Sequence, residues 1–558
     1  MIPLQKGFVA VSHGPVHYRC GGRGPVVAMV GEAPRSSVAH IEDVEWLGEH
    51  CTVVAIDLPG CGNSAPLSQP LPSIGDFASA LAQALTALGI ERCAVYGVGR
   101  GAQVALRFAA DHPERAAFTI LDALPLPEAG GIPKTVARDL EPLADGGHLP
   151  RLWNWMLDGL RYADGTVPSA ASRLAADLPD DLELHERATA LLMAGSYAEH
   201  IGEATRRHDV TADIARLRSR TVFIRRENDP RFEGADQLPA RLPPGCSVER
   251  IPPQTPAWRT TLLSLLKQAP LPAPAWSWSP PRPSALASGS GIRQCYLDQV
   301  HGQIRVRLLG AGRGVPILLL HDVPGGSAAI LPLAEALARD RLVIAPDLPG
   351  LGESHPLPYP TLGSYVTALV ELLEYLGCRK VDVIAPGLAG CFAVALAVRE
   401  PELVRRVALD GLPMVRSRER KLYARNYCPP IAPDRHGAYL HLAWQQLREH
   451  EASWPWFDRS ADAARRHDPD LDPGRLQALL VDVLKQLPSY GDAARAALEA
   501  AVREILTGVR QPVLLFEVAG DVRYAGTRRA SRRLAAATVV PRPADLAGRA
   551  DALRQFFD

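Results

Sequence analysis

The stretch Asp57-Leu58-Pro59-Gly60-Cys61-Gly62-Asn63-Ser64 recurs in the second half of the chain as Asp347-Leu348-Pro349-Gly350-Leu351-Gly352-Glu353-Ser354. Each copy is followed, at nearly the same distance, by a glycine-rich run typical of a turn from a strand into a helix. The first run is Gly97-Val98-Gly99-Arg100-Gly101, and the second is Ala385-Pro386-Gly387-Leu388-Ala389-Gly390. A nearly constant offset between such distant copies indicates two tandem domains rather than a short solenoid repeat.

Short apolar, β-rich runs alternate with amphipathic segments in both halves. In the second half, residues 316–320, 342–345 and 381–384 have the pattern of buried strands, and residues 365–376 have helical periodicity. Continuous apolar strands separated by helices predict a mostly parallel sheet covered on both faces. The predicted fold class is therefore α/β, with one twisted sheet in each half.

The domain boundaries follow from composition. We predict a first domain over residues 1–268, a Pro/Ala/Ser-rich linker over 269–291 and a second domain over 292–558. Helix-prone insertions at about 126–215 and 414–505 follow the sixth predicted strand of each domain.

The bulk composition excludes several classes of protein. Lys+Arg and Asp+Glu are both 61 in the 558 residues, so the net charge gives no reason to expect nucleic-acid or membrane binding. The nine cysteines form no C-x-x-C pair, which argues against a disulfide framework or a zinc site and favours a cytoplasmic protein. No cofactor motif is present, and none is expected to be needed. The excess of arginine over lysine is typical of a GC-rich bacterial genome.

Together these motifs resemble the α/β-hydrolase superfamily over nearly the whole chain except the linker. The resemblance implies that the two insertions form helical caps that shape a substrate pocket. It also implies a mechanism with a nucleophile in a G-x-S-x-G elbow, an acid, a histidine and an oxyanion hole.

Measured against that family pattern, both copies lack the key reacting groups. Gly99 and Gly387 stand where the family has its serine. Pro256 and Asp545 stand where the family has its histidine. The sequence therefore argues against ordinary serine-type hydrolysis.

The acid position is retained as Asp229 in the first copy and Asp521 in the second. The second copy also keeps His321 in its oxyanion loop, although the family histidine at this place is usually structural. We expect Asp521 to act as a base beside Asp545, since two close carboxylates split their pKa values, and His321 or Asp545 to donate a proton. The candidate catalytic residues are Asp521, Asp545, His321 and Asp410.

Backbone N–H groups after each elbow are expected to hold a carbonyl or enolate oxygen even without a serine. The residues assigned to this role are Gly387, Leu388, Asp322, Gly99 and Arg100. The second cap carries aromatic residues that suit an apolar ligand or pack the cap itself. These are Trp444, Trp454, Trp456 and Tyr490.

Three functions are compatible with this pattern. The favoured one is a non-hydrolytic cyclase, isomerase or lyase acting on an apolar or polyketide-like intermediate of bacterial natural-product biosynthesis, because confinement alone lowers the barrier to cyclisation. The alternative is an inactive pseudohydrolase that binds a small ligand or serves as a scaffold. The least favoured is a hydrolase that uses water activated by Asp521. We expect the fused halves to imitate a dimer within a monomeric or homodimeric protein, with the first half as support.

Overall fold

The computed structural model describes residues 4–126, 140–162, 168–170, 172–174, 177–226, 238, 242–251, 255–269, 271–272, 276–279, 291–311 and 314–558. The chain divides into two compact units. Lobe 1 comprises Met1–Glu141, Gly147–Ser279 and Pro433–Gly437, and lobe 2 comprises Pro142–Gly146, Pro280–Ala432 and Ala438–Asp558. Each lobe contains one eight-stranded sheet.

The sheet of lobe 1 has the order β1-β2-β4-β3-β5-β6-β7-β8. Strand β2 is antiparallel to both of its neighbours, and the remaining pairs are parallel. The strands are β1 Gln5–Val11, β2 Gly14–Gly22, β3 Val26–Val30, β4 Thr52–Ile56, β5 Cys93–Val98, β6 Ala116–Asp122, β7 Thr221–Arg226 and β8 Cys246–Ile251.

The sheet of lobe 2 repeats this topology strand for strand, in the order β9-β10-β12-β11-β13-β14-β15-β16. Strand β10 is the antiparallel one. The strands are β9 Ile292–Gln299, β10 Gly302–Leu309, β11 Ile317–Leu319, β12 Val343–Pro346, β13 Val381–Pro386, β14 Val404–Asp410, β15 Val513–Glu517 and β16 Ala537–Pro541. The predicted α/β class with two tandem sheets is therefore confirmed.

Helices cover both sheets and also build the two caps. In lobe 1 they are α1 Ile41–Leu47, α2 Ile74–Ala87, α3 Arg100–Asp111, α4 His148–Arg161, α5 Asp181–Ala194, α6 Ala198–Arg206, α7 Val210–Ala215 and α8 Thr255–Gln268. In lobe 2 they are α9 Leu331–Leu337, α10 Leu362–Tyr375, α11 Ala389–Arg399, α12 Arg420–Asn426, α13 Ala438–Ala452, α14 Pro473–Leu484, α15 Asp492–Glu499, α16 Val502–Ile505, α17 Thr527–Ser531 and α18 Leu546–Phe557.

The uninterrupted apolar strands owe their pattern to burial on both faces. In β3, Val26, Ala28 and Val30 join one hydrophobic cluster, and Val27 and Met29 join another. Successive side chains of a strand point to opposite faces, so two clusters along one strand mean that helices cover the sheet on both sides.

Two equivalent helices begin earlier than their hydrophobic periodicity predicts. Helix α2 starts after Ser73, whose side chain accepts from the backbone N–H of Asp76, and the Asp76 side chain bonds back to Ser73. Thr361 and Ser364 form the same capping box at the start of α10. Capping satisfies free N–H groups of the first turn, so each helix begins at the residue directly after its cap.

Part of the predicted linker packs on lobe 1. Trp276 and Trp278 are partly buried against one of the lobe's two main hydrophobic clusters. The apolar area of two indole rings favours this contact over an extended connector. Residue 270 and the stretches 273–275 and 280–290 of the predicted linker lie outside the described residues.

Within the part of the chain that the structure describes, no helix combines the length and the hydropathy that a membrane crossing requires.

Candidate functional site

The elbow backbone of lobe 2 is preserved although its nucleophile is missing. Gly387 links β13 to α11 with a φ of +49°, and its N–H donates to the carbonyl oxygen of Asp410 at 2.9 Å. Gly99 has a φ of +57° at the same place in lobe 1. A left-handed turn of this kind displays the family nucleophile, and glycine adopts it without strain but supplies no reacting group.

The side chain of Asp322 occupies the amide of Leu388, directly after the lobe 2 elbow, and the amide of Val323 in its own loop. Its Oδ1 accepts from the N–H of Leu388 at 3.0 Å and from the N–H of Val323 at 2.8 Å. The prediction that these amides are available for a ligand oxygen therefore needs correction, because a protein carboxylate already satisfies them. Asp322 is the acceptor of the oxyanion site and not one of its donors.

Arg523 completes this arrangement. Its Nη2 donates to Oδ2 of Asp322, and its guanidinium lies 5.8 Å from the centre of the Trp454 ring. Burial opposes the charge, yet the carboxylate of Asp322 raises the pKa of Arg523 above its ordinary value. A Cβ added at Gly387 would overlap both carboxylate oxygens of Asp322 and Nη2 of Arg523. The ion pair thus fills the space where the family nucleophile would stand.

Arg523 is not among the site residues predicted from the sequence. It lies two positions after the retained acid, Asp521, and no motif of the family marks that position. Its importance comes from its three-dimensional proximity to Asp322, which a sequence spacing of this length does not reveal.

His321 is a structural residue of the loop and is not placed to donate a proton to a ligand. Its side chain is buried, its Nε2 accepts from the N–H of Leu348 at 2.9 Å, and its Nδ1 lies 2.8 Å from the carbonyl oxygen of Asp322. The first contact requires an unprotonated Nε2, so Nδ1 carries the proton and donates it to the carbonyl oxygen. Burial also lowers the pKa of His321, which keeps the ring neutral.

Asp521 fastens the cap to the core. It is only 2% exposed, and its oxygens accept from the backbone N–H of Arg523 at 2.9 Å and from that of Arg466 at 3.0 Å. Arg465 and His467 each lie 3.7 Å from its Oδ2. Cap residues thus take the contacts that the family acid would make with its histidine, and Asp521 is not a free base.

The predicted pairing of Asp521 with Asp545 is not found. Asp545 is exposed at the N-terminus of α18, where its carboxylate accepts from the N–H of Gly548 at 2.7 Å. Asp521 is buried against the cap, and the two carboxylates share no partner among the described residues. Helix capping explains why an aspartate replaces the family histidine at this position.

Asp410 is the last residue of β14. It accepts from the hydroxyl of Tyr524 at 2.6 Å and from Nε of Arg542 at 2.9 Å. Burial opposes the charge of Arg542, and Asp410 raises the pKa of that guanidinium. Tyr524 and Arg542 follow β15 and β16. Asp410 therefore connects the carboxyl ends of three strands, β14, β15 and β16.

The four cap aromatics divide into two pairs. Trp454 lies beside Arg523, and Trp456 donates from Nε1 to the carbonyl oxygen of Tyr427 at 2.8 Å. Trp444 and Tyr490 are 0% and 1% exposed. This second pair is buried, whereas both members of the first pair contact Tyr427, and Trp454 also faces Arg523.

Lobe 1 closes its elbow in a related way. A Cβ added at Gly99 would lie 2.9 Å from Cγ and 3.1 Å from Cδ of Glu32, which precedes Ala33 in the loop after β3. Arg100 donates from Nη1 to the carbonyl oxygen of Ala33 at 2.9 Å. Asp229, the retained acid of this copy, lies outside the described residues. Both elbows therefore hold an acidic side chain from the neighbouring loop in place of a nucleophile.

Residues 33–199 and 315–429, together about half of the chain, match the family described as alpha/beta hydrolase fold. A 2-hydroxy-6-oxo-2,4-heptadienoate hydrolase of Pseudomonas putida is 34% identical over 119 residues, which are 20% of this chain and 42% of that protein. A soluble epoxide hydrolase of Corynebacterium is 37% identical over 111 residues, which are 20% of this chain and 39% of that protein. The chain thus spans less than half the length of these relatives.

Among solved structures, a hydrolase from Pseudomonas aeruginosa has a TM-score of 0.38 at 20% identity, covering 47% of this chain and 95% of its own. The match to the family over both halves, with the same order of strands in both sheets, gives the classification. The chain belongs to the α/β-hydrolase fold family.

Proposed function

We propose that lobe 2 is a non-hydrolytic catalyst of the cyclase, isomerase or lyase class. Its substrate would be an apolar or polyketide-like ketone from bacterial natural-product biosynthesis in the cytoplasm. One observation carries this proposal: the carboxylate of Asp322 lies where the family nucleophile would be, held by two amides and one arginine. The side chain of Asp322 keeps 30% of its surface exposed, so a ligand under the cap can reach it.

The arrangement suits proton transfer next to a carbonyl group. Asp322 takes a proton from the carbon beside the ligand carbonyl, and the electron pair of that C–H bond moves to the carbonyl oxygen. The guanidinium of Arg523 stabilises the resulting enolate, the task that the oxyanion amides have in the hydrolases. Return of the proton to another carbon isomerises the ligand. Attack of the enolate carbon on a second carbonyl closes a ring, and protonated Asp322 then supplies the proton to the new alkoxide.

Hydrolysis is disfavoured by the same geometry. Gly387 provides no attacking group, and Asp545 provides no imidazole in the place of the family base. The amides of Leu388 and Val323 are occupied by Asp322. Loss of one oxyanion donor alone costs a hydrolase about 10²–10³ in kcat. A site without the nucleophile, without the imidazole and with its amides occupied would lack most of the rate enhancement of the family hydrolases.

The substrate of one relative supports the chemical class. The substrate in the name of the Pseudomonas hydrolase has a hydroxyl group and a ketone joined through a diene, which is an enol of a conjugated dicarbonyl chain. We extend only this keto–enol character to the present chain, because the match covers 20% of it.

Solvent exchange tests the proposal without knowledge of the natural substrate. 2-Tetralone, an apolar bicyclic ketone with acidic C–H bonds, is incubated with the full chain in D2O, and deuterium uptake is followed by mass spectrometry. We expect uptake above the buffer rate for the native protein and for Glu32→Gln, the matched change in lobe 1. We expect the buffer rate for Asp322→Asn, and equal rates for native protein and Asp322→Asn would refute the role of Asp322.

The second candidate is an inactive pseudohydrolase that binds a ligand or acts as a scaffold. The occupied oxyanion amides favour it, because an internal carboxylate that saturates these donors also blocks a ligand oxygen from them. Saturable binding of 2-tetralone with no deuterium uptake would favour this candidate over the catalyst.

A further inference from the structure

His450 is a polar residue of the cap that the proposed proton transfer does not use. Helix α13 places its ring 4.7 Å from the ring of Tyr427 and 5.8 Å from that of Trp456. Its Nε2 is buried and has no hydrogen-bond partner among the described residues. An imidazole nitrogen among aromatic rings is thus left without the partner that buried polar atoms nearly always have.

Leaving this nitrogen unpaired costs folding free energy, because the buried group has lost its hydrogen bonds to water. Burial and the nearby Arg523 also lower the pKa of His450 to about 3, so the ring is neutral at physiological pH. The Nε2 of a neutral imidazole either donates or accepts, according to the tautomer. A ligand hydroxyl can meet either tautomer, because it both donates and accepts.

A second unpaired donor belongs to the same cluster. The Nε of Arg523 is buried without a hydrogen-bond partner among the described residues, and it lies beside Gly411, where an added Cβ would stand 3.1 Å from it. Tyr427 connects the two groups: its ring lies 5.4 Å from that of Trp454, which faces Arg523.

We propose that lobe 2 selects a planar ketone that carries a hydroxyl group at its far end. His450 binds the hydroxyl, Arg523 binds the carbonyl oxygen, and the rings of Tyr427, Trp454 and Trp456 contact the flat faces of the ligand. This assignment rests on the proposed function for the carbonyl end and adds the hydroxyl as the group that determines specificity.

Paired ligands test the assignment by calorimetric titration of the full chain. 6-Hydroxy-2-tetralone and 2-tetralone differ only in the distal hydroxyl. We expect the hydroxylated ketone to bind about threefold to tenfold more tightly, the range for one neutral hydrogen bond. His450→Phe should abolish this preference and retain binding of 2-tetralone, and His450→Gln should restore part of it. His441→Phe, an exposed change on the same helix, should leave the preference intact.

Each outcome separates this inference from the proposed function. Equal affinity of the native protein for the two ketones overturns the role of His450 and leaves the chemistry of Asp322 untouched. Loss of 2-tetralone binding in His450→Phe also overturns it, because the ring would then act through packing alone. Failure of both ketones to bind the native protein contradicts the proposed ligand class itself.

Discussion

At the scale of single residues, the exchange of a nucleophile for an ion pair is the main departure from the family. A glycine at the elbow keeps the strand-to-helix turn, and the carboxylate of Asp322 takes the vacant volume. Restoring the family serine at one position therefore cannot restore the family chemistry, because Asp322 and Arg523 already occupy its space.

Gly387→Ser should lower the free energy of unfolding by about 1–3 kcal/mol and produce no esterase activity, since the new side chain overlaps the ion pair. Gly377→Ser is the matched control. Gly377 also has a positive φ, +69°, but an added Cβ there meets nothing within 4 Å. Urea unfolding of both variants separates overlap from backbone strain. Equal destabilisation would show that the elbow space is empty.

Asp482, on α14 of the cap, predicts a pH dependence of stability. Burial raises its pKa to about 6, with Lys485 opposing and Asp347 adding to the shift, and Arg307 and Arg305 also face it. The folded pKa lies above the ordinary 3.8, so the folded state binds the proton more tightly and loses stability as pH rises from about 4 to about 6. Above pH 6 the loss is complete.

Asp482→Asn should therefore stabilise the protein at pH 7, by on the order of 2–3 kcal/mol, and have little effect at pH 4. Asp468→Asn, an exposed change in the same cap, should have little effect at either pH. Thermal or urea unfolding at the two pH values measures the difference. A stabilisation that does not change with pH would contradict the assignment to Asp482.

At the scale of elements, the cap of lobe 2 depends on the retained acid. Asp521 accepts from the backbone of Arg466 in the cap and of Arg523 in the core, so one carboxylate ties the two layers. Asp521 therefore has a structural use that does not require a histidine partner.

Asp521→Asn should loosen the cap segment 465–467 and speed its backbone hydrogen exchange, because breaking a buried, charge-assisted tie costs about 1–3 kcal/mol. Asp545→Asn should leave that segment unchanged, since its carboxylate caps an exposed helix end. Hydrogen exchange followed by mass spectrometry reports both variants. Unchanged backbone hydrogen exchange at residues 465–467 in Asp521→Asn would contradict the role of Asp521 in holding the cap to the core.

Regular elements could be predicted from the sequence because they follow hydrophobic periodicity and glycine turns. The strands around Gly99 and Gly387 are examples. The site could not be predicted to the same degree. The carboxylate of Asp322 and the guanidinium of Arg523 are 201 positions apart, and their pairing depends on side-chain directions that no local pattern encodes. Asp545 was predicted to be catalytic, but it caps a helix. Aspartate serves in both roles, so the residue type alone does not distinguish them.

At the scale of the whole molecule, both elbows lack the serine, and lobe 2 combines the Asp322–Arg523 pair with the cap ring of Trp454. We therefore predict one ketone bound per chain in calorimetric titration. Glu32→Gln should leave the stoichiometry at one, and Asp322→Asn should change the affinity. Two equivalent sites per chain would contradict the assignment of lobe 1 as support.

The absence of a serine nucleophile from both elbows also predicts the response to a covalent probe. A serine-directed fluorophosphonate should add no mass to the intact chain, because Gly99 and Gly387 offer no hydroxyl to attack phosphorus. Intact mass spectrometry gives the answer. Stoichiometric addition of one probe per chain would reveal an unrecognised nucleophile.

We propose that the carboxylate of Asp322 carries out proton transfer in place of the hydrolytic chemistry of the family. Deuterium uptake by 2-tetralone, compared between the native chain and Asp322→Asn, is its most direct measurement. We predict enzyme-dependent uptake that the substitution reduces to the buffer rate. Uptake that survives the substitution, or rapid ester hydrolysis by the native chain, would contradict it.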